Sequence, residues 1–240
     1  MKNLTLAKLG AICALLLVAS FVLGGVLMGT AGVGTLIPET GDEGREWIAD
    51  VQGSSDAFFA GAWLVILVGV FGLVAFVGFY DVLRGAGPVM ILAPIVGVVG
   101  MTLVTISHLI PIAMAYELVP GYTEADGATQ AALAVTADTL ASVCLLTNYV
   151  GNALGFGVTV PLFAWAILRT GAVPKWIGWV GVVTAVFGGW LGLLGPAASV
   201  IEGISTIGFL AFFVFMVSMG VAVLRRERRA GAVTAPPATA

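Results

Sequence analysis

Histidine is nearly absent from this sequence of 240 residues, and its scarcity excludes several kinds of active site. The single histidine, His108, cannot provide the two axial ligands of a b-type haem, a three-histidine zinc centre or an HExxH metalloprotease helix. Nucleotide-binding loops and serine-hydrolase motifs are missing from the sequence as well. We therefore expect no cofactor, no metal site and no catalytic residue, which favours a non-enzymatic protein.

Cysteine and charge are also scarce. Cys13 and Cys144 fall in different apolar runs and should sit at different depths, so we expect neither a disulfide nor a shared metal. Charged residues make up 10% of the chain, whereas soluble domains carry roughly 25%. With 60% hydrophobic residues and a net charge of −3, the chain should have a lipid bilayer as its main partner and no nucleic acid.

Long apolar runs are what the sequence has instead. Six stretches without a charged residue are 22 to 32 residues long, and a spanning helix needs about 20. The first run also exceeds the apolar part of a secretory signal, about 7–15 residues, so we expect that helix to be retained. We predict an all-α integral membrane protein, an antiparallel bundle of six transmembrane helices at about 9–34, 57–80, 88–115, 139–168, 176–195 and 201–224.

Basic residues are concentrated at one end of these predicted helices. Nine of the ten lie before the first helix, in the links 81–88 and 169–176, or after the sixth helix, whereas Arg45 lies in the link 36–56. Acidic residues lie mostly in that link and in the link 116–138. Because cytoplasmic loops of membrane proteins are enriched in lysine and arginine, we predict that both termini are cytoplasmic.

The links and the tail carry three further signals. The stretch GPAAS (195–199) predicts a tight turn, which makes the fifth and sixth helices antiparallel neighbours. Thr123 and Asp126 can form a capping box, which would start the fourth helix outside the membrane. After the transmembrane domain 1–224, the tail 225–240 begins with arginines and continues as a Pro/Ala/Thr string predicted to be disordered. We interpret the arginines as a translocation stop that touches anionic headgroups, with a specific lipid site as the less favoured alternative.

The fifth predicted helix begins with a recognisable stretch. Pro174 and Lys175 precede Trp-Ile-Gly-Trp at 176–179, after a turn of small residues. This stretch, together with the hydropathy of the chain, resembles uncharacterised six-span membrane proteins of bacteria and archaea that share a domain of unknown function. The resemblance implies the six-helix fold and a prokaryotic cytoplasmic membrane, and it supplies no catalytic residues.

Polar residues inside the apolar runs are the candidates for a site. His108 lies nine residues before Glu117, which corresponds to about 13 Å along a helix, and Asn148 lies ten residues after Asp138, about 15 Å. These two side chains should therefore lie at a similar depth in the outer half of the bundle. Pro111 has no N–H, so the carbonyl of Ser107, right beside His108, should lose its helical partner. Pro161 should have the same effect on the carbonyl of Gly157.

These polar residues predict a pocket in the outer half of the bundle. Polar groups in lipid are costly and usually face the interior of a bundle or a wet cavity. We predict a ligand-binding pocket formed by His108, Asn148, Asn152, Tyr149 and Glu202, with Glu202 as its roof. The alternative is that His108 and Asn148 only bind neighbouring helices to each other.

Small-residue pairs are the last signal. The pairs Gly25/Gly29, Gly151/Gly155 and Gly188/Gly192 have GxxxG spacing, which we interpret first as packing within the bundle and second as contacts of a homo-oligomer.

Three functions fit this sequence. The first is a non-enzymatic ligand-binding or accessory membrane protein that holds a lipid or a small hydrophobic ligand. The second is a small transporter or channel-like protein with His108 on its path, and the third is an intramembrane enzyme that acts on a lipid substrate.

Overall fold

The computed structural model describes residues 4–38, 40–54, 56–193 and 199–233. These residues are almost entirely helical, and no strand occurs within them. The α-helices, in chain order, are α1 (Leu6–Thr30), α2 (Asp42–Gly53), α3 (Asp56–Leu83), α4 (Leu92–Ala113), α5 (Val119–Glu124), α6 (Gly127–Leu154), α7 (Val160–Thr170), α8 (Lys175–Val183) and α9 (Ser199–Val233).

Five continuous helical stretches are long and apolar enough to cross a membrane. They are Leu6–Thr30, Asp56–Ala86, Pro88–Glu124, Gly127–Thr170 and Thr206–Ala230. The remaining expected span, 176–195, contains α8 with nine residues and a π-helical segment, Thr184–Trp190, with seven. These two described segments together are shorter than the about 20 residues that a spanning helix needs, so the sixth expected span is not identified among the described residues.

Three sequence predictions fall on residues that the structure does not describe. The predicted turn at 195–199 lies outside the described residues except for Ser199, where α9 begins. In the tail, α9 continues through the arginine cluster to Val233, and 234–240 lie outside the described residues. Glu202 lies near the start of α9, but its side chain is also outside the described part.

The chain divides into two compact units. Unit A comprises the described residues of Met1–Val18, Phe71–Val98 and Ala153–Ala240, and unit B comprises those of Ala19–Val70 and Val99–Asn152.

Aromatic side chains form the centre of unit A. Phe76 and Phe79 of α3 both pack against Phe163 of α7, with ring centroids 5.9 and 6.1 Å apart, and Phe79 meets Phe215 of α9 edge to face. All four rings are completely buried. In the same unit, a Cβ on Gly78 would come within 2.5 Å of the Cα of Gly10, so α1 and α3 touch through their backbones.

Unit B has an amphipathic helix, α2, within the link 36–56. Trp47, Ile48 and Val51 of α2 are buried in an apolar cluster that includes Phe58, while acidic residues occupy much of its exposed face. The indole N–H of Trp47 donates to the Thr35 carbonyl at 3.0 Å. The link is therefore folded onto the core of unit B.

The second long link of unit B ends at the N-terminus of α6. The carboxylate of Asp126 accepts a hydrogen bond from the Thr129 N–H at 3.0 Å, and α6 begins at Gly127, well before Asp138. This agrees with the predicted early start of the fourth helix. The predicted capping box does not form, because Thr123 lies within α5 and Asp126 itself caps α6.

The glycine pairs pack in only some of the predicted places. A Cβ on Gly151 would lie 2.8 Å from the Gly100 carbonyl oxygen, and Gly188 lies against Gly208. No described atom lies within 4 Å of a Cβ built on Gly25 or Gly29. The neighbouring Gly24, not Gly25, makes the close contact of α1 with α3 in unit B, where its Cβ would lie 2.7 Å from the Gly61 carbonyl oxygen.

Three segments of the described chain are π-helical. They are Met114–Leu118 after α4, Gly155–Thr159 between α6 and α7, and Thr184–Trp190 after α8. π-Helical turns are rare and occur frequently at functional sites. Two of the three lie within four residues of a proline in the same helical stretch, Pro111 or Pro161, where a regular backbone hydrogen bond is lost.

Candidate functional site

Two helices of unit B, α4 and α6, bring together a chain of polar side chains. The side-chain amide of Asn152 donates to the side-chain oxygen Oδ1 of Asn148 at 2.7 Å, as side chains four residues apart on a helix can. The Asn148 amide in turn donates to the Ser107 hydroxyl at 3.1 Å, and that hydroxyl donates to the Val104 carbonyl at 2.7 Å. Ser107 is completely buried. This chain links α6 to α4 at the residue that precedes His108.

A proline explains the second contact between the same helices. Pro111 lies inside α4 and has no N–H, so the carbonyl of Ser107 lacks its usual partner four residues later. The thiol of Cys144, on α6, donates to this carbonyl with 2.8 Å between sulfur and oxygen. Cys144 is completely buried. The carbonyl that lacks a helical partner because of Pro111 therefore receives a hydrogen bond from the neighbouring helix.

His108 differs from the rest of this polar group. Its side chain is partly buried, and its Nδ1 atom is fully buried without a hydrogen-bond partner among the described residues. A neutral imidazole nitrogen either accepts or donates one hydrogen bond, according to its tautomer. Leaving a buried polar atom unpaired costs about 1–3 kcal/mol. Nδ1 therefore has one hydrogen bond that the described residues leave unmade.

The other two predicted site residues are less closely defined. Tyr149 is partly buried on α6, next to Asn148. The side chain of Glu202 is outside the described part of the chain, so its role as a roof over the site stays a prediction. The structure thus brings Asn148 and Asn152 together and joins them to α4 at Ser107, the residue that precedes His108.

The sequence indicated the unpaired carbonyl of Ser107, but it did not identify the Ser107 hydroxyl, the Cys144 thiol or the Trp190 indole as hydrogen-bonding partners. The Ser107 hydroxyl could have been noticed, because it belongs to the residue beside His108 whose carbonyl loses its helical partner at Pro111. Pro161 should likewise leave the Gly157 carbonyl without a helical partner, and the indole N–H of Trp190 donates to that carbonyl at 2.9 Å in unit A. A freed carbonyl signals that a donor is needed, although the sequence does not say which helix supplies it.

The polar side chains that meet on α4 and α6 can form hydrogen bonds, and this is the chemistry that they offer. The group offers an imidazole, two amides, a hydroxyl and a thiol, and the thiol and amides already have partners. Among the described residues, no group of three or more His, Cys, Asp and Glu side chains is arranged to hold a metal ion.

Comparison with known proteins places the chain in a family. The pattern of the family described as "Domain of unknown function (DUF4386)" matches residues 9–225. The chain belongs to the DUF4386 family. The match covers the polar group on α4 and α6 and all five apolar stretches except their outermost ends, so this DUF4386 protein carries its candidate site within the family domain. No curated protein and no solved structure matches it.

Proposed function

We propose that this DUF4386 protein binds a small or lipidic ligand inside a membrane through His108, without catalysing a reaction. The proposal includes an antiparallel bundle of six transmembrane helices in a prokaryotic cytoplasmic membrane, with both termini cytoplasmic. Five apolar helical stretches and the concentration of basic residues at one end of the predicted helices support it.

The buried, unpartnered Nδ1 of His108 is the observation that carries the proposal. Asn148 and Asn152 donate to protein acceptors, so their simplest role is to bind α4 to α6, for which membrane proteins gain about 0.6–2 kcal/mol per contact. His108 gains no such contact from the described residues. The two interpretations of the polar group therefore apply to different residues: the asparagines are structural, and the imidazole is the ligand contact.

An enzymatic role has less support. A histidine acting as a general base needs a second group that orients it or stabilises the developing charge. No described side chain donates to or accepts from His108 Nδ1. Binding requires only the one hydrogen bond that this nitrogen can still make.

Nitrogen NMR of the imidazole tests the proposal directly. Because His108 is the single histidine, ¹⁵N-histidine labelling reports on this ring alone. We expect the Nδ1 resonance of protein purified in mild detergent to move when vesicles of phosphatidylethanolamine and phosphatidylglycerol, or a total lipid extract, are added. A resonance that responds to D₂O but to neither lipid source would assign a water molecule to the position and contradict the proposal.

Two matched variants separate ligand binding from structural support. His108→Phe should keep or raise the unfolding temperature, because it removes an unpaired buried polar atom, and it should abolish the co-purified ligand in mass spectra. Asn148→Leu should lower the unfolding temperature, because the Asn152 amide and the Ser107 hydroxyl lose a partner. If His108→Phe destabilises the protein as much as Asn148→Leu, the imidazole is structural too.

Transport is a second candidate function, favoured by the three π-helical segments. Irregular helical turns in membrane segments commonly line substrate paths, and here they follow α4, α6 and α8. Proteoliposomes loaded with a pH-sensitive dye or a small-solute reporter provide the test. Flux above that of protein-free vesicles, lost in His108→Phe, would support transport, and flux equal to that of protein-free vesicles would exclude it for those solutes.

A further inference from the structure

A groove with a volume of about 490 Å³ lies in unit A, between the turn that precedes α8 and the C-terminal half of α9. Val173 and Trp176 line it on the α8 side, and Val217 and Val221 line it on α9. Its polar end is formed by arginines 225, 226 and 229. The groove therefore has an apolar part and a cationic part.

The sequence of α9 produces this division. Val217, Val221, Arg225 and Arg229 follow one another at intervals of four residues, so they lie in one row along the helix. This row is about 18 Å long at 1.5 Å per residue. Along it, the side chains change once, from aliphatic to cationic, between Val221 and Arg225. One end of a molecule lying in the groove therefore contacts aliphatic side chains, and its other end contacts guanidinium groups.

The guanidinium groups in the groove are not neutralised by the protein. In the ranges 4–38, 40–54, 56–193 and 199–233, no carboxylate forms an ion pair with Arg225, Arg226 or Arg229. The acid between them, Glu227, accepts a hydrogen bond from the Thr5 hydroxyl at 2.6 Å. Three positive charges therefore face the groove with no negative partner in the described protein.

Three other arginines, Arg45, Arg84 and Arg169, have partners nearby. Arg84 lies 3.6 Å from the carboxylate of Asp81, and the guanidinium of Arg169 lies 5.2 Å from the ring centroid of Trp165. Among the described residues, Arg225, Arg226 and Arg229 have no such partner, and unlike the equally unpaired Arg228 they line the groove, where their charge is left for an external anion.

We infer that the groove binds one anionic phospholipid, with its phosphate on Arg225, Arg226 and Arg229 and an acyl chain along Val217 and Val221. Arginine suits phosphate because its planar fork of N–H donors matches the phosphate oxygens. Trp176 lines the groove and is about half exposed, and tryptophans of membrane proteins commonly lie where headgroups meet the hydrocarbon. A soluble phosphate would use the arginines alone, whereas the adjoining aliphatic row calls for a lipid. The site does not involve His108.

Native mass spectrometry of the full-length protein provides the test. Micelles are supplied with equal amounts of phosphatidylglycerol and phosphatidylcholine, and the lipid that stays bound is counted. We expect phosphatidylglycerol to be retained preferentially, and Arg225→Gln/Arg229→Gln to weaken its retention about tenfold or more. The matched control is Lys175→Gln/Arg228→Gln, which removes the same charge from exposed residues that do not line the groove.

The outcomes separate the site from general charge attraction. Retention that falls equally in both double variants, or equal retention of both lipids, would overturn the inference. Competition by inorganic phosphate at concentrations comparable to the lipid would assign the groove to a soluble anion and overturn it as well. Val221→Asn should weaken the retention of phosphatidylglycerol without a change in the charge of the groove. His108→Phe should leave its retention unchanged, so failure here is distinguishable from failure of the His108 proposal.

Discussion

In both compact units, a proline deprives one helix carbonyl of its usual hydrogen-bond donor. Each unit supplies a different donor to this freed carbonyl. In unit A, Pro161 removes the helical partner of the Gly157 carbonyl, and the indole N–H of Trp190 replaces it at 2.9 Å. The donor comes from a π-helical segment, Thr184–Trp190, whose Gly189 lies directly against the backbone of Gly157. The irregular backbone of this unit is closed by a strong donor and close packing.

Unit B uses a weaker donor within a longer polar chain. Pro111 frees the carbonyl of Ser107, and the thiol of Cys144 approaches it. A thiol is a weak hydrogen-bond donor, whereas an indole N–H is a strong one. Beside this contact, the Asn148 amide binds the Ser107 hydroxyl, and His108 keeps an unpartnered nitrogen.

The difference indicates where a ligand would act. Proline-opened helices alone do not make a site, because unit A satisfies its freed carbonyl completely through Trp190. In unit B, the same opening lies among polar side chains, and the Nδ1 of one of them, His108, has no partner within the part of the chain that the structure describes. The following predictions test this comparison, beginning with the largest expected effect.

Both units should depend on close contact between α1 and α3. Gly10→Leu in unit A and Gly24→Leu in unit B should each lower the free energy of unfolding by about 3 kcal/mol, because a Cβ at either position would meet backbone atoms of α3. Denaturant titration in micelles measures the change. The control is Gly25→Leu, which points to space with no described atom within 4 Å and should cost far less. Equal losses in Gly24→Leu and Gly25→Leu would show that the close contact is not what matters.

Removal of the Trp190 indole donor should destabilise unit A, in which the carbonyl freed by Pro161 is paired. Trp190→Phe should lower the free energy of unfolding by about 2 kcal/mol, because it leaves the Gly157 carbonyl unpaired. Trp179→Phe is the matched control, since Trp179 is similarly exposed and has no hydrogen bond to the described residues. If the two variants unfold alike, the indole hydrogen bond contributes nothing measurable.

Removal of the thiol donor should have a smaller effect. Cys144→Val keeps the approximate shape but leaves the Ser107 carbonyl unpaired, and we expect a loss of about 1 kcal/mol because the thiol is a weak donor. Cys144→Ser, which retains a donor, should recover part of the loss. Cys13→Val is the control at a buried thiol of unit A. A larger loss for Cys144→Val than for Trp190→Phe would reverse the ranking of the two units.

The N-terminus of α6 should give the smallest effect, and one that depends on pH. Hydrogen bonds from the Thr129 backbone and side chain hold the pKa of Asp126 below its usual range. A lowered pKa in the folded state means that the cap stabilises α6 above the ordinary carboxyl pKa and is lost as pH falls through the lowered value. Asp126→Asn should keep the cap without this pH dependence, and Asp126→Ala should lose it at every pH.

Hydrogen exchange of the first turn of α6 measures this effect. At each pH, the exchange of the wild type is compared with that of Asp126→Asn, so that the intrinsic pH dependence of exchange cancels. The wild type should exchange like the Asn variant near neutral pH and faster than it in acid. A constant ratio across pH would contradict the role assigned to the carboxylate.

Much of the helical framework could be predicted from the absence of charge, but the early start of α6 was indicated only by a second signal, the capping residue Asp126. A charge-free run locates the part of a helix that lies in hydrocarbon, whereas α6 begins at Gly127, before the charged Asp138, because Asp126 caps it. The helix α2 was missed because it lies in a charge-rich link. The spacing of Trp47, Ile48 and Val51 on one face was the available signal.

The polar group shows the same limit for the site. Asn148 and Asn152 are four residues apart, which places them on one face of a helix, and their hydrogen bond follows from this spacing. The sequence could not show that Ser107 would receive Asn148, or that Trp190 would serve Gly157, because both pairings depend on how separate helices face each other. The loss of helical hydrogen bonds at Pro111 and Pro161 was predictable, and the replacements were not.

The π-helical segments also affect how relatives should be compared. Such a turn closes its hydrogen bond across one residue more than an α-helical turn, so it accommodates one extra residue without disturbing the faces of the helix on either side. A relative that lacks one residue within Gly155–Thr159 or Thr184–Trp190 could therefore wind as a regular helix and still present the same side chains to the same neighbours. We expect single-residue length differences within the DUF4386 family to accumulate at these segments.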